Sequence, residues 1–194
     1  MGPWQRQSRR VAYENQWITL FHDEVIRPDG EPGIYGVVHN ANVAVGVVPI
    51  DAEDRVCLVG QWRYTLDAHS WEIPEGGVPS AESPLDGARR ELREETGLTA
   101  RAWREIGRVH VSNSITDEVA HLYLATDLDA GAPEPDGTED LTLRWVPFPE
   151  ALAMALDGRI TDALSLVALQ RLAIERLGVE RIGHAAAAGV KEDT

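Results

Sequence analysis

Three glutamates, Glu91, Glu94 and Glu95, stand three and four residues apart in the segment Arg90-Glu91-Leu92-Arg93-Glu94-Glu95-Thr96-Gly97-Leu98. On a helix that spacing puts their side chains on one face. Carboxylates one turn apart repel each other, at roughly 0.2–0.5 kcal/mol per pair. A hard cation removes the penalty, and Mg²⁺ takes carboxylate oxygens while keeping positions for water and for substrate phosphates. Three glutamates by themselves read first as a solvated acidic face; their surroundings decide between the two.

The element that must carry them is well marked. Ser83 suits a helix N-cap, Pro84 the first turn, and Asp86 follows Ser83 by three residues as in a capping box. Gly97 falls where a left-handed C-terminal cap is wanted. A helix over Ser83 to Thr96 then puts Leu85, Ala88 and Leu92 on an apolar stripe, roughly 110° from the glutamates on a 3.6-residue turn. One side can be buried while the other presents acid.

Around this helix the sequence reads as strands. Trp17–Phe21, Glu24–Ile26 and Ile34–Val38 flank the turn signal Pro28-Asp29-Gly30. Val43 to Ile50 is a near-continuous apolar run, expected to be buried on both faces and to pair with Arg55–Trp62 across the polar turn Asp51–Asp54. Ala102–Val111, Glu118–Ala125 and Leu141–Pro147 follow, then helices over Pro149–Leu156 and Thr161–Leu177, the latter with Leu164, Val167, Ala168 and Leu172 on one face. Between the last two strands runs a long Gly-, Pro- and acid-rich loop, Asp127 to Asp140, longer than a connection needs. The expected organisation is a mobile N-terminus (1–10), N-terminal strands (11–38), an α/β domain (39–178) and a flexible tail (179–194).

Gly76, five residues, Glu82, seven residues, and then Arg90 through Leu98 match every fixed position of the Nudix box. A frame with that many constrained positions is specific where a lone short motif is not. The chain thus resembles the Nudix hydrolases. The resemblance implies a Nudix α/β/α sandwich with a mixed sheet, here with extra N-terminal antiparallel strands and C-terminal helices. It implies that Glu91, Glu94 and Glu95 bind metal, with the Glu75 carbonyl as a further ligand. Arg90 corresponds to the family's orienting arginine, and Glu82 either holds the loop or joins an outer metal. The reaction implied is attack of water on a phosphorus of a nucleoside diphosphate linked to another group, with Mg²⁺ or Mn²⁺ as cofactor.

Outside the box, Gln61-Trp62-Arg63, Trp71-Glu72-Ile73-Pro74-Glu75-Gly76-Gly77, Thr116-Asp117-Glu118 and Gly158-Arg159-Ile160-Thr161-Asp162 resemble the ADP-ribose pyrophosphatase and nucleoside diphosphate sugar hydrolase branch. That likeness implies a homodimer whose N-terminal strands are exchanged and help build both active sites. Arg63 reads as a grip on a substrate phosphate or as a surface cation at a strand end. Glu72 and Glu118 read as acids near the nucleotide or sugar, or as solvated charges. Trp17 reads as a base-stacking ring, or as a core or interface tryptophan. The general base is expected from the long loop: Glu139 first, with Asp140 and Glu118 as alternatives. Ser112-Asn113-Ser114-Ile115 stands where ADP-ribose hydrolases tend to carry a proline, which leaves other nucleoside diphosphate sugars open.

Composition narrows the partners. A net charge of −14 over 194 residues argues against binding a nucleic-acid backbone, but not against a small anion met through a cation. No apolar run is long enough to span a bilayer. The single cysteine, Cys57, lies in an apolar run, can form no internal disulfide, and reads as a small core residue in a cytoplasmic protein. Two other readings share the box: a nucleoside triphosphate pyrophosphohydrolase and a nucleotide-sugar sensor without turnover. The first has no need of the N-terminal strands, and the second often carries an eroded box or an added DNA-binding domain.

Overall fold

The computed structural model describes residues 2–132 and 141–178. Its elements run β1 (Gln5–Glu14), β2 (Ile18–Ile26), β3 (Pro32–Asn40), β4 (Val43–Pro49), β5 (Arg55–Arg63), β6 (Ala68–Glu72), β7 (Glu75–Val78), α1 (Pro84–Thr96), β8 (Leu98–His110), β9 (Val119–Ala130), β10 (Thr142–Pro147), α2 (Phe148–Asp157) and α3 (Ala163–Arg176). They form three sheets, ordered β1-β2-β3, β10-β5-β6 and β7-β4-β9-β8. The last is mixed, because β4 runs parallel to β9 and antiparallel to β7.

Alternation along β4 divides the core. Val45 and Val47 pack with Val78, Ala88, Leu92 and Tyr123 under α1. Val48, one residue on, packs with Leu58, Ile73, Met154, Leu164 and Leu169 towards α2 and α3. Helices thus cover both sides of the strands, the expected α/β/α layering. Cys57 is fully buried, and burial pushes its thiol up to about 12, so it serves as core and not as a nucleophile.

Some local expectations change. β4 and β5 do not pair along their length; past the bridge between Ile50 and Val56 they diverge into different sheets. Both carry apolar runs that suit any central position; β4 pairs with β7 and β9, and β5 with the following β6 and the distant β10. Gln5–Arg10, expected as mobile, form the first half of β1, paired antiparallel to β2. β9 continues to Ala130, five residues past the expected Ala125, so the long connection begins later. Val167 is 38% exposed, and Leu169 takes the buried place instead. The tail from 179 and the loop residues 133–140 lie outside the described residues. Among the described residues no helix is long and apolar enough to cross a membrane.

Within the N-terminal sheet a charge pair reinforces the β1-β2 ladder. Arg9 on β1 donates to both Asp23 oxygens on β2, at 2.7 Å each, and lies 4.3 Å from the Phe21 ring centroid. The Arg9 hydrogen bonds hold the Asp23 carboxyl below its usual range, against the opposing effect of burial. A carboxyl depressed by folding stabilises the fold above its unfolded pKa of about 3.9 and loses that contribution as pH falls through the folded value. Asp23→Asn is therefore expected to cost about 1.5–3 kcal/mol at neutral pH, with a smaller gap to the wild type in acid. Urea unfolding at neutral and at acidic pH measures this; an unchanged gap would contradict it.

Candidate active site

α1 forms as its caps dictate. The Ser83 hydroxyl accepts the Asp86 N–H at 3.1 Å and donates to the Asp86 carboxylate at 2.7 Å. Gly97 ends the helix at φ 72°, with its N–H on the Arg93 carbonyl. Side-chain positions on the turn then set the environment of each glutamate. Glu95 lies three residues after Leu92, about 60° round the helix from it, and is buried with it, at 3% exposure. Its Oε2 accepts the Glu75 N–H at 3.1 Å. Glu91 and Glu94 sit further round and meet the Arg90 guanidinium at 2.7 and 3.0 Å. Arg90 also donates to Glu82, at 3.2 and 3.3 Å, and to the Gly77 carbonyl at 3.1 Å. One guanidinium thereby gathers three carboxylates of the acidic frame and ties them to β7.

Gly76 is required by this packing. A Cβ on it would fall 2.2 Å from the Glu91 carboxyl carbon, so any side chain there displaces Glu91.

β5, β6 and β7 bring a second cluster beside the first. Arg63 Nε donates to both Glu72 oxygens, at 2.9 and 3.0 Å, its Nη2 also meets Glu72, and Nη2 donates to Glu75 Oε1 at 2.6 Å. Glu72 is 2% exposed. Burial, then the Asp162 and Glu72 carboxylates, push Glu75 well above the usual carboxylate range, with Arg63 opposing. Glu75 Oε2 is buried and has no hydrogen-bond partner among the described residues. The cluster opens on a cleft of about 360 Å³ whose lining includes Arg63, Glu75, Asp162, Glu118 and Trp17. Trp17 reaches it from the turn before β2 and is 63% exposed.

A hard divalent cation suits this corner by its donors: carboxylate and carbonyl oxygens, one of them a buried oxygen left unsatisfied by protein. No three acidic, histidine or cysteine side chains surround one point as a finished cage among the described residues. Arg90 stands between the carboxylates and supplies positive charge there. An ion held by Glu91 and Glu94 would share these carboxylates with Arg90 or displace it.

The NUDIX domain profile matches residues 40–167 of the chain. The chain belongs to the Nudix family. Residues 4–38 match the nucleoside diphosphate sugar hydrolase N-terminal domain, which covers β1, β2 and all but the last two residues of β3. An ADP-ribose pyrophosphatase of Mycobacterium tuberculosis is 35% identical over 162 residues, covering 82% of this chain and 78% of that one. A CMP-5'-(N-acetyl-N-hydroxy-3-aminopropyl)phosphonate hydrolase of Streptomyces rubellomurinus is 30% identical, covering 86% and 80%. An ADP-ribose pyrophosphatase of Bacillus subtilis is also 30% identical, covering 84% and 89%. In fold, the chain superposes on the crystal structure of an ADP compounds hydrolase with a TM-score of 0.81 at 20% identity, over 92% of this chain and 96% of that one. This Nudix chain is a pyrophosphohydrolase.

The site residues expected from the Nudix sequence fall in two groups. Glu82, Glu91, Glu94 and Arg90 are joined, and Glu95 reaches the same corner from the buried side. Arg63, Glu72 and Glu75 form the adjoining cluster, so Arg63 is no isolated surface cation and Glu72 no solvated charge. Glu118 lines the same cleft as Trp17, its carboxyl raised by burial and then by Asp117. Trp17 is not a core residue in this chain. Glu139 and Asp140 lie outside the described residues. From sequence, Asp162 stands only within the motif Gly158–Asp162, with no role at the site, and Ser165 is not singled out. Asp162 is the α3 N-cap, its carboxylate accepting the Ser165 N–H at 2.7 Å, and it also lines the cleft. Placing the helix start at Thr161 concealed it; an Asp three residues before a Ser at a helix start was the available signal.

Proposed function

We propose that this enzyme hydrolyses the pyrophosphate bond of nucleoside diphosphate sugars, ADP-ribose first among them, to nucleoside monophosphate and sugar phosphate. It works with Mg²⁺, or Mn²⁺ in its place, and as a homodimer. The observation that carries the reading is the junction of the acidic corner of α1 with a cleft whose lining includes a cation, Arg63, and an exposed ring, Trp17. Two relatives named ADP-ribose pyrophosphatase support ADP-ribose as the first candidate, and the relative acting on a CMP derivative keeps cytidine nucleotides in view.

The residues take these roles. Glu91, Glu94 and Glu95 with the Glu75 carbonyl hold the metal. A divalent cation supplies charge against the phosphate oxygens and acidifies water. Arg90 keeps the carboxylates gathered when no ion is bound. The bonds from Arg63 to Glu72 and Glu75 use Nε and Nη2, leaving Nη1 for a substrate phosphate oxygen. Trp17 stacks on the base, and Glu118, half-buried, accepts a sugar hydroxyl. For the dimer, the support is β1, exposed at every residue, and the exposed apolar side chains Trp4, Val11, Tyr13 and Ile34 on the same sheet. A long edge strand leaves a row of backbone donors and acceptors open to pairing with a second chain, and the apolar side chains beside it add contact area.

Glu139 is proposed as the general base, ahead of Asp140 and Glu118. A general base contributes about 10²–10⁴-fold. Glu139→Gln is expected to lower kcat on that scale with KM and metal affinity little changed. A loss below about tenfold is too small for the role.

A hydrolysis screen over nucleoside diphosphate sugars, including ADP-ribose and cytidine derivatives, with Mg²⁺ and Mn²⁺ tests the substrate class. Monophosphate plus sugar phosphate is expected. Monophosphate plus pyrophosphate from triphosphates alone, or binding without product, would overturn it.

A further inference from the structure

The stretch Ile73-Pro74-Glu75 carries both the backbone carbonyl assigned to the metal and the Glu75 side chain that grips Arg63. It runs from the end of β6 into the first residue of β7, and its two backbone donors go to separate helices. Glu75 N–H goes to Glu95 on α1, at 3.1 Å. Pro74 has no N–H, and its carbonyl accepts from Val47 N–H on β4 at 2.8 Å. Ile73 N–H goes to the Ser165 hydroxyl on α3, at 2.9 Å in a fully buried setting.

Ser165 is itself fixed. It is the third residue of α3, it has no solvent exposure, and its own N–H is held by the Asp162 carboxylate at 2.7 Å. Asp162 in turn lines the cleft beside Arg63 and Glu75. A helix on the far side of the sheet from α1 is therefore hydrogen-bonded to the catalytic corner through the Ser165 hydroxyl.

We infer that Ser165 is a positioning residue for catalysis: its hydroxyl sets where the Ile73–Glu75 crossing stands relative to α1, and so where the Glu75 carbonyl and the Arg63 grip are presented. The inference rests on the hydrolytic reading for its kinetic part only. Ser165→Ala leaves a buried N–H without an acceptor, and the crossing moves to relieve it. Losses of partners that orient ligating groups fall at about 10–100-fold in activity or metal affinity. A side chain that merely fills the core leaves both quantities unchanged in folded protein.

The test uses the full chain with Thr, Cys and Ala at position 165. Mn²⁺ affinity is measured by calorimetry without substrate, the Ile73 amide by hydrogen exchange, and kcat and KM with the best nucleoside diphosphate sugar. Thr keeps the hydroxyl, Cys offers a weak acceptor and Ala none. Expected are weakened Mn²⁺ binding and faster Ile73 exchange in the order Ala, Cys, Thr, with kcat falling about 10–100-fold in Ala and largely kept in Thr. Folded variants with equal Mn²⁺ affinity and equal Ile73 exchange would overturn the assignment, as would equal loss in Thr and Ala. If the Ala variant does not fold, Thr against Cys decides by the same readouts. Absence of turnover in the wild type would count against the hydrolytic reading, while the Mn²⁺ and exchange series still decides Ser165.

Discussion

Replacing Glu94 or Glu95 by Gln is expected to nearly abolish turnover and leave the fold standing. Several kcal/mol of transition-state stabilisation supplied through the metal are at stake, on the order of 10²–10³-fold in rate. An amide keeps the shape of the side chain but not the charge that a hard cation selects. The two positions differ in what else they do. Glu94 is partly exposed and held by Arg90, which keeps Glu82 and Glu91 as partners after the change. Its variant should match the wild type in stability within about 0.5 kcal/mol, or exceed it slightly in metal-free buffer as self-repulsion falls. Glu95 is buried and accepts the Glu75 N–H, a bond that the Gln oxygen can still accept. Steady-state rates over a Mg²⁺ series, with thermal unfolding of each variant, provide the measurement. Near-normal rates for both at limiting Mg²⁺ would remove the metal-helix reading.

Deleting residues up to Gly36 is expected to cost both dimerisation and activity. The deletion takes away β1, β2 and the first half of β3. It removes Trp17 from the cleft, where stacking on a base accounts for about 1–3 kcal/mol. It also removes Tyr35, whose hydroxyl donates to the Ser114 carbonyl at 2.7 Å. That loop leads directly to Thr116, Asp117 and Glu118, and its last turn stays tied to what remains of β3 through Asn40. The loss in kcat/KM should therefore exceed the loss from Trp17→Ala, because loop order and the subunit interface go with it. Light scattering and kinetics on the truncated chain test this, and a fully active monomer would refute it.

How much could be read from the sequence follows the range of the interactions. α1 was readable from cap to cap, because Ser83, Asp86 and Gly97 act on backbone groups within one turn. The acidic frame was readable for the same reason, being a spacing on a single helix. Strand partners were not: β4 and β5 are adjacent in sequence and each carries a continuous apolar run, which fits many positions in a sheet equally well. The burial of Glu72 and its capture by Arg63 depend on β6 pairing with β5 and on β7 following, neither of which was recognised as a strand. The same holds for Asp162, which lines the cleft with Arg63 of β5 and Glu75 of β7, and for Ser165, whose partner Ile73 follows β6, far along the chain. The match of Arg90 to an orienting role was carried by resemblance; its simultaneous hold on Glu82, Glu91, Glu94 and Gly77 required coordinates.

The central claim is metal-dependent cleavage of the pyrophosphate bond in a nucleoside diphosphate sugar. Phosphorus NMR of an ADP-ribose reaction tests it most directly, with Mg²⁺ and with the metal removed by chelation. The expected result is AMP and ribose 5-phosphate appearing together with Mg²⁺, and neither appearing under chelation until metal is restored. Equal rates with and without chelator would contradict the claim, and so would an intact pyrophosphate signal throughout a panel of nucleoside diphosphate sugars.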